Sequence, residues 1–292
     1  MDTERIRYWI CEARWHYVQL KRNNAEGRLR YLFGHVRDRF VVPRLGNDRT
    51  AYFIGLYGSG RLYLFQTLMQ CIGKRSKYLR DGVRFIKGSS SMIYVGHATI
   101  KYPSRAQASP AVTRRILQEV KSRCADLIFV YRHPLDSLLS NWVWWRNYIR
   151  QGWMLAGISE AHKNSDDLCA ELDKNFSDFA AFAEGDPDFF AGAIGPRFLS
   201  FREYVEETEL FLPAASLSLR FEDFAIDPYR EFTKIAQTLS LQPDRERLHL
   251  VPPEAKPYRY LTVKEKVPRF REFVAGLDAD TRGRIERIGY EL

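Results

Sequence analysis

Cysteine is scarce, with four residues in 292, at positions 11, 71, 124 and 169. None forms a C-x-x-C pair or lies near histidines at metal-ligand spacing, which argues against a disulfide framework or a zinc site and leaves packing thiols. Long apolar runs are missing as well. A membrane span needs roughly 18 consecutive apolar residues, and the best stretches, 127–131 and 138–145, fall far short. The opening M-D-T-E-R-I-R is charged where a secretory leader is apolar. A soluble, cytoplasmic protein is expected. With no internal repeat, low-complexity tract or clear linker, the chain reads as one domain over 1–292, with a basic helical extension over 1–49 and a core over 50–292.

What is present is unevenly distributed charge. The net charge is +9, yet residues 50–150 hold 16 Lys and Arg against 4 Asp and Glu, while residues 151–292 hold 18 against 26. Clustered cations in the first half of the core point to a phosphate- or sulfate-bearing ligand there. The acidic remainder argues against a nucleic-acid partner, which normally demands a basic face over much of the domain. In the extension, Ile6, Trp9, Ile10, Ala13, Tyr17 and Leu20 form one apolar stripe and Leu29, Leu32, Phe33, Val36 and Phe40 a second. These two basic helices suit packing on the core, self-association or peripheral contact with a membrane.

From residue 51 the texture changes. Residues 51–57 read as a buried strand, followed by G-S-G and a helix over 61–72; 92–95 is a second strand. Ser109 as N-cap and Pro110 start a helix to about residue 123, and a third strand over 127–131 leads into a helix over 134–150. The stretch 164–212 reads as mostly helical, with Phe176, Phe179, Phe182, Phe189 and Phe190 in the core. A fourth strand is expected over 216–221 and a helix over 228–239, whereas the Pro- and Lys/Arg-rich 251–271 breaks the pattern. Strands alternating with helices predict an α/β fold, a three-layer sandwich with a central, mainly parallel sheet, a P-loop-like nucleotide-binding core and helical additions.

The first strand runs into G-L-Y-G-S-G-R-L at 55–62 and then a helix, the setting in which backbone N–H groups cradle an oxyanion. Against the nucleotide-hydrolase pattern G-x-x-x-x-G-K-[ST], Gly55 and Gly60 fit, Arg61 replaces the lysine, and Leu62 replaces the hydroxyl residue that holds magnesium. Metal-dependent nucleotide chemistry is thereby disfavoured. A second anchor follows the third strand in Y-R-H-P-L-D-S-L-L-S, where Arg132 closes the strand and Ser140 lies eight residues on, two turns into the next helix. Strand C-termini face the ligand crevice of an open parallel sheet, so both side chains are placed to meet one phosphate.

These motifs resemble the sulfotransferases that use 3′-phosphoadenosine 5′-phosphosulfate (PAPS) and release 3′,5′-ADP (PAP), most of all bacterial enzymes that sulfate carbohydrates and lipo-oligosaccharides. The resemblance covers about 51–241. It implies that Arg132 and Ser140 bind the 3′-phosphate and that Gly58, Ser59, Gly60, Arg61 and Leu62 hold the 5′-phosphosulfate. S-M-I-Y-V-G-H-A-T at 91–99 resembles the strand-then-histidine segment that supplies a general base, here His97, and L-S-L-R-F-E-D-F-A-I-D-P at 217–228 resembles an architectural late strand. The family's loop cation precedes its Ser-Gly; here Gly58 stands there and Arg61 supplies the charge from the other side. A basic C-terminal segment closes over the 3′-phosphate in the family, and Lys264, Lys266 and Arg269 are the candidates for that task.

In-line sulfuryl transfer, like phosphoryl transfer, asks the protein for positioning, cationic stabilisation and a base for the acceptor hydroxyl. His97 suits that last task, since an imidazole takes a proton near neutrality. Asp136 and Glu222 are fallback bases, Asp136 fitting better as the residue that orients Arg132, and His133 reads as a spacer. Trp142, Trp144, Trp145, Tyr148 and Trp153 suit sugar rings or acyl chains, although core packing accounts for most such clusters. The expected acceptor is a hydroxyl of a carbohydrate or glycolipid, with no metal. The competing expectations are a P-loop kinase or NTPase, and a non-enzymatic anion- or membrane-surface-binding protein that retains a degenerate nucleotide fold.

Overall fold

The apolar run T-A-Y-F-I-G forms strand β1, Thr50–Gly55, and D-L-I-F-V-Y forms β4, Asp126–Tyr131. Leu127, Ile128, Phe129 and Val130 are all buried, so β4 is covered on both faces, as a central parallel strand must be. The computed structural model describes residues 50–56, 58–61, 63–64, 67, 84–87, 92–99, 117–118, 126–146, 165–186, 189–190, 199–239 and 258–292. The two basic N-terminal helices, Leu62, Tyr148 and Trp153, and nearly all of the helix expected over 109–123, lie outside them.

Strands β2, Arg84–Lys87, β3, Met92–Thr99, and β5, Leu217–Arg220, complete one sheet in the order β2-β3-β1-β4-β5. β1 runs parallel to both β3 and β4, and β4 parallel to β5, while β2 is an antiparallel edge on β3. The mainly parallel sheet is therefore as expected. β2 is an addition: four residues with a charge at each end carry too little apolar pattern to be read as a strand. β3 also runs four residues past the expected end at 95.

Nine α-helices lie wholly among the described residues: α1, Pro134–Trp144; α2, Ser165–Lys174; α3, Phe176–Glu184; α4, Phe201–Phe211; α5, Phe221–Ile226; α6, Pro228–Thr238; α7, Arg259–Lys266; α8, Pro268–Ala275; and α9, Ala279–Arg287. Their ends obey local chemistry. Ser200 and Glu203 form a reciprocal capping box on α4, Asp227 caps α6 ahead of Pro228, and Gly185 in the left-handed region ends α3.

Side-chain alternation in the strands assigns the layers. Phe53, Ile128, Val130 and Leu219 pack with Phe224, Phe232 and Ile235 on one face. Ile54, Leu127 and Phe129 pack with Tyr204 and Phe211 on the other, where the rings of Phe129 and Phe211 stack at 5.3 Å. This is the three-layer arrangement. A third cluster joins α1, α2 and α3 to the C-terminal helices and contains Trp142, Trp145, Phe179, Phe182 and Phe270. The 251–271 stretch, expected to interrupt regular structure, instead contributes α7 and the start of α8. Together with α9 these helices return the chain to the C-terminal edge of the sheet, through contacts of α7 with α1.

Candidate functional site

After β1 the backbone turns sharply. The Ser59 N–H donates to the Leu56 carbonyl at 3.3 Å, and the Gly60 carbonyl accepts from the Leu64 N–H at 3.1 Å, which makes Gly60 the N-cap of the helix that begins at Arg61. The turn requires glycine for two reasons. Gly58 and Gly60 have φ of +79° and +76°, and a Cβ on Gly60 would fall 2.2 Å from the ring of Phe221, while one on Gly58 would fall 2.8 Å from the Ser137 carbonyl oxygen. Ser137 Oγ also donates to the Gly58 carbonyl at 3.4 Å and receives a 2.8 Å hydrogen bond from the buried Tyr204 hydroxyl. Within this cradle Ser59 is buried and its Oγ has no hydrogen-bond partner among the described residues, which leaves a polar atom suited to an incoming acceptor.

At the end of β4, Arg132 is 3% exposed. Its Nη1 donates to Ser140 Oγ at 3.2 Å, its Nη2 lies 3.5 Å from Asp136 Oδ2, and its Cζ sits 4.9 Å from the centroid of Phe221. Asp136 is the hub behind it. Its Oδ1 accepts the Tyr260 N–H at 2.7 Å, so it binds the N-terminal turn of α7 to α1. Burial raises the Asp136 pKa, with Arg132 acting in the opposite direction. Tyr258, which opens α7, has a φ of 57°, a conformation that a bulky residue adopts only when its surroundings impose it.

The basic residue α7 brings to this point is Arg259, 6% exposed. Burial lowers its pKa first and the charge of Arg132 second, with Asp136 opposing both. Arg132 and Arg259 thus bring two buried guanidiniums to the Asp136 carboxylate, a cationic and desolvated place that suits an anion. Arg259 was not among the expected residues. It lies 18 positions beyond the stretch that resembles a known family, and nothing in P-Y-R-Y distinguishes it from the other cations nearby.

The loop and the arginine meet because of topology. From β1 the chain moves to β3 on one side and then to β4 on the other, so the β1/β4 boundary is the switch point at which open sheets bind ligands. Gly60 and Arg132 approach the same Phe221 ring, and Gly58 packs on α1 beside Asn141, the neighbour of Ser140. Gly58, Ser59, Gly60, Arg132 and Ser140 thus form one cluster, and Arg61, 9% exposed, opens the helix behind the loop.

The other expected residues are placed differently. His97 lies inside β3, opposite Phe53 and two residues before the Gly55–Thr99 level, rather than in a loop after the strand. Lys264 is half-buried on α7, Arg269 is exposed on α8, and Lys266 is exposed and paired with Asp166 at 2.5 Å. His133 is no spacer. It is buried, caps α1 by accepting the Leu135 N–H at Nδ1, stacks on Tyr260 at 3.9 Å, and donates from Nε2 to the Glu291 carbonyl at 3.0 Å. Burial is the main reason its pKa falls to about 4. Glu222, a fallback base, has one oxygen on the His133 N–H at 2.9 Å and the other on the Tyr290 hydroxyl at 2.8 Å, which makes it a structural acceptor. Trp142 and Trp145 are buried against Phe179, Phe182, Phe189 and Phe190, so neither presents a face to an acceptor.

No protein-family model matches the chain. No curated protein matches it either. Among solved structures, a mouse sulfotransferase, SULT7A1, complexed with PAP, aligns over 85% of this chain and 86% of its own length at 11% identity, with a TM-score of 0.39. Among the described residues no cluster of three or more His, Cys, Asp or Glu is placed to hold a metal, and no helix is long and apolar enough to cross a membrane.

Proposed function

We propose that this chain is a PAPS-dependent sulfotransferase that moves a sulfuryl group to a hydroxyl of a carbohydrate or glycolipid. The observation that carries the reading is the joint position of Arg132 and Ser140, hydrogen-bonded at 3.2 Å, and the Gly58–Gly60 turn on the shared Phe221 ring at the switch point of the sheet. One cluster offers paired polar donors backed by a second buried arginine. The other offers a glycine turn, the buried Ser59 hydroxyl and a helix start. Two adjacent anion sites of different construction suit a nucleotide with phosphate on both sides of its ribose.

PAPS, when bound, supplies the sulfuryl group. Arg132, Ser140 and Arg259 take its 3′-phosphate, and Gly58, Ser59, Gly60, Arg61 and the backbone of Leu62 take the phosphosulfate. His97 is the residue we assign as base for the acceptor hydroxyl, from its position near the end of β3 beside β1. The acceptor class rests on the sequence resemblance. Trp142 and Trp145 lie in the core, and Trp144 is half-buried against it.

The test is thermal unfolding with 3′,5′-ADP, with and without magnesium, followed by transfer of labelled sulfate from PAPS to oligosaccharide, glycolipid and phenol acceptors. Strong stabilisation indifferent to magnesium, with transfer to a carbohydrate, is expected. No shift at saturating nucleotide refutes the reading. Magnesium-dependent ATP turnover would assign the site to a kinase or NTPase, and nucleotide binding without transfer to a non-enzymatic binding protein.

A further inference from the structure

The last residues of the described chain close a partly buried circuit behind the arginine site. Tyr290 is buried, and its hydroxyl donates to Glu222 Oε2 at 2.8 Å. Glu222 Oε1 accepts the backbone N–H of His133 at 2.9 Å. The His133 ring returns the link, because Nδ1 accepts the Leu135 N–H and Nε2 therefore carries the hydrogen given to the Glu291 carbonyl at 3.0 Å. Tyr260 stacks on that ring and donates its hydroxyl to the same Glu291 carbonyl at 3.3 Å.

Four chain segments far apart in sequence meet here: the end of β4, the start of α5, the start of α7 and the C-terminal tail. Arg220 adds to the seal, its Cζ lying 4.3 Å from the Tyr290 ring centroid. The circuit holds His133, which sits between Arg132 and the first turn of α1. His133 joins the strand end that carries Arg132 to the helix that carries Ser140, and caps that helix. Tyr260 also links the tail to the Asp136 carboxylate through its own N–H, so the tail braces both the residue after Arg132 and the carboxylate beside it.

We infer that Tyr290 and Glu291 are positioning residues for the Arg132–Ser140 anion site, setting its geometry through His133 and Glu222 without touching the ligand. This rests on the proposed function, in which that site takes the 3′-phosphate. The brace lies behind one of the two anion sites, so its loss has a signature that general destabilisation lacks. It weakens ligands with a 3′-phosphate and spares those without.

The experiment is calorimetric titration of wild type and Tyr290→Phe with 3′,5′-ADP and with 5′-AMP. Wild type is expected to prefer 3′,5′-ADP, and Tyr290→Phe to lose about tenfold of that affinity, the scale of one buried hydrogen bond to a charged group, with 5′-AMP unchanged. Tyr260→Phe keeps the ring stacked on His133 and deletes only the hydroxyl facing the tail. It is expected to shift selectivity the same way, and it carries the test if Tyr290→Phe does not fold. Unchanged selectivity, or an equal loss for both nucleotides, overturns the inference. A wild type with no preference between the nucleotides overturns the proposed function instead.

Discussion

Gly60 and Arg132, 72 residues apart, lie against one phenyl ring: a Cβ on Gly60 would meet Phe221 at 2.2 Å, and the Arg132 guanidinium carbon sits 4.9 Å from its centroid. Phe221 is thus the common floor of the glycine turn and the arginine. Gly60→Ala combines a left-handed backbone with a steric overlap, and is expected to cost about 3 kcal/mol in urea unfolding. Phe221→Leu alone is expected to cost less, and the double variant to recover part of the Gly60→Ala loss, because the overlap is relieved. Strict additivity would show that Phe221 is not what constrains the turn.

His97 and Arg132 are assigned different tasks. His97→Ala is expected to keep 3′,5′-ADP binding and to lower sulfate transfer by at least about 100-fold. Arg132→Ala is expected to lower nucleotide affinity, and Arg132→Lys to restore little of it, since an ammonium lacks the fork that meets Ser140 and Asp136 together. Calorimetry beside a transfer assay separates the two. Equal loss of binding and turnover in both variants would undo the assignment.

Arg259 is buried beside Arg132 and Asp136, whereas Arg269 is exposed on α8. Arg259→Ala is therefore expected to weaken 3′,5′-ADP by about tenfold at low salt, and Arg269→Ala to change it little. A salt titration of both variants checks the order, and a larger effect from Arg269 would reverse it.

His133 gives the fold an acid limb. Its pKa falls to about 4 in the folded protein against about 6.5 when unfolded, so the unfolded chain binds more protons between those values. Stability is accordingly expected to drop as pH falls from 6.5 towards 4, by up to roughly 3 kcal/mol. Asp136 and Glu222 are shifted upward by burial and act in the opposite sense, stability falling as pH rises through their folded pKa values. His133→Asn keeps an N-cap acceptor and both carboxylates, so the difference between its melting curve and that of wild type across pH 4–7 isolates the histidine. Identical curves would show that His133 is not the group responsible.

Much of the architecture is written in local pattern. Apolar runs bounded by glycine or charge specify β1 and β4, Pro134 and Pro228 mark helix starts, and the eight-residue interval from Arg132 to Ser140 already placed both at one sheet edge. Those features depend on dihedral preference and burial, which act within a few residues. β2 escaped because four residues with charged ends pair only when β3 offers them an edge. The C-terminal helices escaped because proline and lysine mark both loops and helix starts, and which of these they become depends on what lies beneath.

The residues alone determined the fold class, the glycine turn and the Arg–Ser pair, since each follows from short-range sterics and periodicity. Only the tertiary structure decided that Arg259 rather than a neighbouring cation lies buried beside Arg132. It alone turned His133 from an apparent spacer into a cap joined to Glu291, 158 residues away. Burial and hydrogen-bond partnership across such separations are properties of the packed chain, because a buried polar group is worth what its partner makes it, and that partner is chosen by folding.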